Sequence, residues 1–386
     1  MELTIAFCGD IMPGAEVAQH MGRATIADWL KDVSPAWKGA DLLIGNLESP
    51  CVVQAKPIEH ELPELVFHAP ASRLQELVAA GFSAVTLANN HILNCGALGL
   101  SETLREIKGV GLYHAGAGMN LAEALQPAFI PVRGVTVGLV AFCYSPPAGR
   151  STPGVAPCDP PFMRKALTAA RANADLVIAA LHDGLEYSDV PPMGTRSRFR
   201  FLAENGADIV VGHHPHVLQG LEWHGLTPIA YSLGDFLFHN SLPHVAARNF
   251  SRMAFGRLAP EEVRRDPHKF GRGAVLTVQL SNGKKSIQWH PFRQGANLRP
   301  QLSLDSRYSE DLHRLEDLSS ALLNERDPRH ALANEVMAKA QQESWDTLAM
   351  REIWRLMLKP KWRYIPRGLE WVSRKINTKA NARRNT

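Results

Sequence analysis

Apolar residues in this chain fall in short runs, and each run stops at polar side chains of the kind that bind ligands. Leu3–Cys8 alternates, then becomes continuously apolar, and ends in Gly9-Asp10-Ile11-Met12-Pro13-Gly14. Leu42–Ile44 ends in Gly45-Asn46-Leu47-Glu48, and Val85–Ala88 ends in Asn89-Asn90-His91. Leu176–Leu181 stops at His182-Asp183, Asp208–Val211 at Gly212-His213-His214-Pro215-His216, and Pro228–Leu233 at Gly234-Asp235. Short apolar runs bounded by glycine and polar residues predict buried strands. Helical spacing falls between them, over residues 15–31, Ser72–Ala80 with Ser72 as N-cap, Gly99–Lys108, Phe162–Ala172 and Arg198–Glu204. Two hairpins are expected: one across Val132–Phe142 turning near Arg133-Gly134, the other joining Ala274–Leu280 to Ser286–Phe292 through Asn282-Gly283. Strands alternating with helices predict an α/β sheet. Beyond residue 300 the strand-end pattern is gone, and Ser309–Asn324 and Ala331–Ala349 have helical spacing.

In an α/β sheet, ligands gather beyond the carboxyl ends of the strands. Six strand ends there would bring together Asp10, Asn46, Glu48, Asn90, His91, His182, His214, His216 and Asp235. Asn46 and Glu48 are two apart, so an extended backbone points both to one side. Oxygen donors mixed with imidazoles, and no thiolate, suit Mn, Fe, Zn or Co better than a Mg or Ca cage. Each fragment also has a plainer reading: an aspartate in a turn, a capping asparagine, a solvated glutamate, a histidine-rich surface loop. The repetition at six strand ends favours the metal.

Composition adds limits. The chain has 386 residues, 45% hydrophobic and 21% charged, as in an ordinary globular protein. No apolar run approaches the ~20 residues of a membrane span. The start, MELTIAFCGD, lacks the basic segment of a secretory signal. The five cysteines are widely spaced without a C-x-x-C pair, which predicts reduced thiols in a cytoplasmic protein. Net charge is +4, yet from Met350 onward eleven Lys/Arg face two Glu, so the preceding body is negative. That balance argues against a broad nucleic-acid footprint.

The motifs GDIMPG, GNLESP, LANNHILNCG, LHDGLEY, GADIVVGHHPHVLQGLE and YSLGDFLF resemble the CapA family of capsule and poly-γ-glutamate synthesis proteins, a branch of the calcineurin-like metallophosphoesterases. The resemblance runs from about residue 3 to 240, and loosely to about 295. It implies a four-layer αββα sandwich with two divalent metal ions at the strand ends. Asp10 matches the first metal-binding aspartate, and Met12 stands where phosphoesterases carry a ligating histidine. Asn46 and Glu48 occupy the bridging-aspartate motif, with Glu48 the candidate bridge because Asn46 is neutral. Asn90 matches the amide ligand, His91 the catalytic histidine and His182 the lone ligating histidine. His214 and His216 match the terminal pair, with His213 as the alternative to His214. Asp235 stands where the family usually carries asparagine.

These residues imply a metal-dependent hydrolase acting on a phosphoester or an anionic polymer, or else a non-catalytic metal-binding component of a polymer synthesis and export assembly. A nucleotide-processing phosphoesterase is the weaker third reading. The expected domains are residues 1–296, carrying the site, and 297–386, a helical, basic extension. In the extension Trp354, Trp362, Tyr364 and Trp371 interleave with Arg355, Lys359, Lys361, Arg363, Arg367 and Arg374. Aromatic and basic residues together suit an anionic membrane surface at the inner face or a synthase complex. A terminal helix packing its tryptophans on the body is the plainer alternative. If the surface reading holds, the full chain floats with anionic liposomes and a chain ending at Ala349 does not. Equal flotation of the two would rule it out.

Overall fold

The computed structural model describes residues 2–59, 66–239, 269–295 and 297–339. The expected basic-aromatic stretch, and the part of the expected 331–349 helix beyond residue 339, lie outside the described residues.

Two sheets form the centre. The first has eight strands in the order Pro300–Leu302, Lys284–Gln294, Arg272–Ser281, Glu2–Ile11, Leu42–Leu47, Ala84–Thr86, Tyr113–Ala115, with Asp235–Leu237 pairing alongside Glu2–Ile11. The second has six: Leu221–His224, Thr227–Ala230, Ile209–His213, Leu176–His182, Val135–Cys143 and Ala128–Val132. In both sheets the central strands are parallel, and antiparallel strands close an edge. Parallel strands are buried on both faces, which is why their sequences read as unbroken apolar runs.

Leu176–His182 shows how the layers stack. Ile178 and Ala180 join the large core shared with Ile5, Phe7 and Ile44 of the first sheet. Val177, Ala179 and Leu181 point the other way, to Met163, Leu167, Phe199 and Leu202 of helices Pro160–Arg171 and Met193–Glu204. On the far side of the first sheet, helices Ile26–Leu30, Ser72–Ala79 and Gly96–Gly109 bury Trp29, Leu74, Leu77, Leu100 and Ile107. The result is the four-layer αββα arrangement the resemblance implies. Both expected hairpins form, with positive φ at Arg133, Gly134, Asn282 and Gly283 as a two-residue turn of primed type requires.

Three expectations need correction. Residues 15–31 are not one helix but Ala15–Met21 and Ile26–Leu30. Thr25 restarts the helix by accepting from the Asp28 amide while Asp28 caps in return. Ser72 is inside its helix, and the N-cap position belongs to Ala71. The run at Pro228–Leu233 does not carry Asp235 out on the second sheet. That strand ends at Ala230, and Asp235–Leu237 crosses to pair with Asp10 and Ile11 of the first sheet. The crossing needs two glycines: Gly234 has φ +71°, and a Cβ on Gly9 would lie 1.7 Å from the Gly234 carbonyl oxygen. One compact unit runs Met1–Val336. Helix Asp305–Leu323 packs Leu315 and Leu318 on Leu218 and Ala274, and Asp311 accepts from Arg293 at 2.8 and 2.9 Å.

The five cysteines are buried and unpaired. Among the described residues, no helix is long and apolar enough to cross a membrane.

One buried ion cluster ties a helix to the second sheet. Glu222 accepts from Arg196 at 2.8 Å, from Arg200 at 2.7 and 3.0 Å and from the Tyr231 hydroxyl at 2.9 Å. Burial pushes this carboxyl up, but the two guanidinium groups and the hydroxyl outweigh it and hold it at about 2. A depressed carboxyl contributes stability above its ordinary value of 4.5 and loses it as pH falls toward about 2. Glu222→Gln is therefore expected to destabilise the protein by ~3 kcal/mol at pH 7. The difference from the parent should shrink through that acid window, as read by urea unfolding at several pH values.

Candidate metal centre

The carboxyl ends of both sheets face one another, and the residues singled out at the strand ends meet there. Asp10, Asn46 and Glu48 are fully buried, and His182, His213, His214, His216 and Asp235 are nearly so. Asn90 and His91 sit at the half-buried rim. Parallel registry does much of the placing: Asp10 lies beside Asn46 on one side and Asp235 on the other, and His182 lies beside His213.

The loop after Ile209–His213 is held in unusual backbone geometry. His214 has φ +99° and His216 φ +57°, on either side of Pro215. Non-glycine residues rarely adopt this region, and such conformations cluster at functional sites. The turn aims His214 and His216 inward while the His214 amide donates to Asp10 Oδ2 at 3.3 Å.

Glu48 Oε1 is at the middle. It is buried without a hydrogen-bond partner. The Nε2 atoms of His182, His216 and His91 lie 3.5, 3.8 and 4.0 Å from it. His214 Nδ1 is also buried without a partner. His216 Nδ1 bonds Asp235 Oδ1 at 2.7 Å, so Asp235 fixes the ring and turns Nε2 toward Glu48. His182 Nε2 pairs with Asn90 Oδ1 at 2.8 Å. His91 Nδ1 pairs with Asn94 Oδ1 at 2.9 Å, and its ring packs on Phe67 with centroids 4.1 Å apart.

Three groups bring potential ligand atoms within 4.8 Å of one another: Glu48–His214–His216, Asp10–His216–Asp235 and Asp10–Glu48–His182. His214 belongs to one of them, whereas His213 belongs to none and lies with Nδ1 3.2 Å from Asp10 Oδ1. Of the two alternatives for the terminal pair, the geometry favours His214.

Charge is balanced unevenly. Burial acts to raise the Asp10 carboxyl, but His213, His216 and His182 outweigh it and hold it far below the usual range. Burial and the Asp10 charge push Glu48 well up. Burial would lower His216, yet Asp235, Glu48 and Asp10 raise it. Burial and neighbouring imidazoles lower His182, and lower His214 to about 3. His182 and His214 thus stay neutral at pH 7, the form in which imidazole binds a metal. Buried donors of mixed oxygen and nitrogen type, with Glu48 Oε1 and the Nδ1 atoms of His213 and His214 lacking a hydrogen-bond partner, fit a divalent transition-metal ion.

Two further residues belong to the centre. Asn89 is fully buried, and its Nδ2 donates to Leu47 O at 2.8 Å and to Asn46 Oδ1 at 3.2 Å. Two successive amides at one strand end were the signal, but the sequence does not say which faces inward. Glu186, in the loop after His182, has its carboxyl raised by burial, with His216 and Asp235 acting on it. Asn46 is where it was expected, but it faces its neighbours with its nitrogen and not its oxygen.

A family model described as bacterial capsule synthesis protein PGA_cap matches residues 4–240. The PGA biosynthesis protein CapA of Bacillus subtilis (strain 168) is 34% identical over 244 residues, 61% of this chain and 63% of that protein. The capsule biosynthesis protein CapA of Bacillus anthracis is 33% identical over 247 residues, 61% and 60% respectively. The chain thus spans about three-fifths of these relatives' length. A solved 5'-nucleotidase from Candida albicans SC5314 aligns over 88% of this chain and 57% of that chain, at 10% identity and a TM-score of 0.39.

Removing the group that orients a ligating imidazole typically weakens metal binding 10- to 100-fold. Asp235→Ala is therefore expected to lower Mn²⁺ or Zn²⁺ affinity by roughly that factor. Asp235→Asn, which keeps an acceptor for His216 Nδ1, should lower it much less. Competition with a chromophoric chelator reads both.

Proposed function

The chain belongs to the bacterial capsule synthesis protein family PGA_cap, and we propose that it is a metal-dependent hydrolase acting on a phosphoester or on a bond of an anionic polymer of the poly-γ-glutamate type. The observation that carries this reading is Glu48 Oε1, a buried oxygen with no hydrogen-bond partner and three imidazole nitrogens 3.5 to 4.0 Å away. An oxygen so placed is costly to bury unless a cation completes its surroundings. Glu48, His214 and His216 would hold the ion, with His182 and Asn90 at its edge. Divalent ions of the Mn, Fe, Zn or Co class supply Lewis acidity there, polarising a phosphoryl or carbonyl oxygen and acidifying water.

His91 has the arrangement of a proton carrier. Asn94 Oδ1 accepts from the Phe67 amide at 2.7 Å, which identifies it as an acceptor, so the neutral His91 ring carries its proton on Nδ1. Nε2 then faces the site with a lone pair that can take a proton and pass it to a leaving oxygen. Packing against Phe67 keeps the ring in that pose. A purely structural site would have no need of such a group at its rim.

The non-catalytic reading has one observation in its favour: Asn46 stands between the two acids as a neutral amide, where a carboxylate would bind a cation more strongly. Two measurements separate the readings. Protein purified without chelator is expected to carry a divalent transition metal by mass spectrometry. It should hydrolyse bis-p-nitrophenyl phosphate, with kcat falling ~10²- to 10⁴-fold in His91→Ala while metal content stays the same. Bound metal with no turnover in either protein would favour the binding component. Absence of metal at saturating Mn²⁺ and Zn²⁺ would end both readings.

A further inference from the structure

Five side-chain hydrogen bonds of the centre meet at Asn46, and they fix the direction of its amide. Asn89 Nδ2 lies 2.8 Å from Leu47 O, and Asn89 Oδ1 lies 3.2 Å from the His91 backbone nitrogen. A backbone carbonyl accepts and a backbone N–H donates, so these two contacts admit only one orientation of the Asn89 amide. Its remaining N–H then points at Asn46 from 3.2 Å, and the Asn46 atom it meets must be the oxygen. The Thr86 hydroxyl adds a second contact to that oxygen at 3.2 Å.

With the oxygen engaged, Asn46 turns its –NH₂ the other way. The nitrogen lies 2.8 Å from Asp10 Oδ1, 3.4 Å from Glu48 Oε2 and 3.3 Å from His182 Nδ1. Asp10, Glu48 and His182 are the three members of one of the candidate ligand groups. An amide N–H₂ has no lone pair to give a cation, and both of its hydrogens carry partial positive charge. It also engages the His182 Nδ1 lone pair, which leaves the proton of that ring on Nε2, facing Asn90 Oδ1 at 2.8 Å.

We propose that the Asn46 amide, locked by Asn89, fills the seat of one ion, so that the centre binds a single metal tightly, at Glu48, His214 and His216. The inference rests on the metal-binding reading above and deepens it by setting the number of ions. The two seats share Glu48, whose Oε1 has no hydrogen-bond partner, and they differ in what surrounds it: Asp10, Glu48 and His182 each already have one atom in contact with the Asn46 nitrogen, whereas His214 Nδ1 of the other group has no hydrogen-bond partner although the residue is 95% buried. Asn46 thus acts as a built-in neutral replacement for a second cation. It holds two buried acids together by hydrogen bonds, and Asn89 is a positioning residue that acts through it.

The test is a Mn²⁺ titration of the full chain, followed by removal of loosely held metal, mass spectrometry and electron paramagnetic resonance. The parent is expected to retain one Mn²⁺ per chain, with the six-line spectrum of an isolated ion. Asn46→Asp replaces the –NH₂ with an oxygen, and its other oxygen can still accept from Asn89 and Thr86. It should retain two ions, with a spin-coupled spectrum and a larger rise in Tm on adding Mn²⁺ than the parent shows. Asn89→Ala introduces no charge, so it answers the case in which Asn46→Asp does not fold. It frees the Asn46 amide to turn its oxygen inward and should take up a second ion at millimolar Mn²⁺. Two tightly held ions in the parent would overturn the clamp and leave the metal reading standing. One ion in the parent and in both variants would also overturn it. No ion in any of the three proteins would overturn the metal reading and the clamp with it.

Discussion

Two carboxylates, Asp10 and Glu48, are buried in the same pocket with no water-exposed surface, and their burial is the constraint that the rest of the centre answers. Carboxylates in a protein interior must be paired, hydrogen-bonded or protonated, because desolvation costs several kcal/mol per charge. Asp10 meets this with imidazoles on one side and the Asn46 amide on the other, and it keeps its charge. Glu48 has less. One of its oxygens receives a long contact from Asn46 and the other receives none, and its carboxyl is driven up toward the protonated form. The pair is therefore one acid already compensated by the protein and one that is largely not.

Such an arrangement can be built because the strands that deliver it are parallel. All their carboxyl ends lie on the same side, so every loop leaving them passes the same point. Two such sheets, stacked face to face, double the number of ends available. Asp10 and Asn46 come from the first sheet and His182, His214 and His216 from the second, while Asp235 is carried across by the chain between Ala230 and the next strand. The cost appears in the backbone: positive φ at His214 and His216, and the two glycines needed where Gly9 and Gly234 touch. These distortions sit at the centre, where strained backbone is most often found in proteins.

How much of this was legible in the sequence follows from what each feature depends on. The strands were legible because burial on both faces leaves uninterrupted apolar runs, and the ligand types were legible because they stop those runs. Chain direction alone then predicts convergence. Features set by contacts between distant segments were not legible. Nothing local at Asp235 shows that it changes sheets, since the crossing is imposed by the fit of Gly9 against Gly234. The helix at Asp305–Leu323 has an ordinary amphipathic pattern, and only the partners of Leu315 and Asp311 reveal that it belongs to the body. The Asn46 side chain reads in the sequence as an oxygen donor, but its orientation depends on Asn89, more than forty positions away.

That orientation changes what the centre can do chemically. A carboxylate at residue 46 would put a third negative charge against Asp10 and Glu48, and the site would need two cations to be stable. A neutral amide with its hydrogens turned inward lowers that requirement and lets the pocket stay assembled around fewer positive charges. In the proposed hydrolase such a centre would have less Lewis acidity to offer a substrate, and more of the work of stabilising a leaving group would fall on the rim. His91 is there, with its proton on the Asn94 side and its lone pair facing inward. The buried amide and the rim imidazole are thus complementary, and the connection between them is physical: the Asn89 oxygen that fixes Asn46 through its own amide also accepts the backbone N–H of His91. One side chain sets both the charge balance inside the pocket and the position of the imidazole at its mouth.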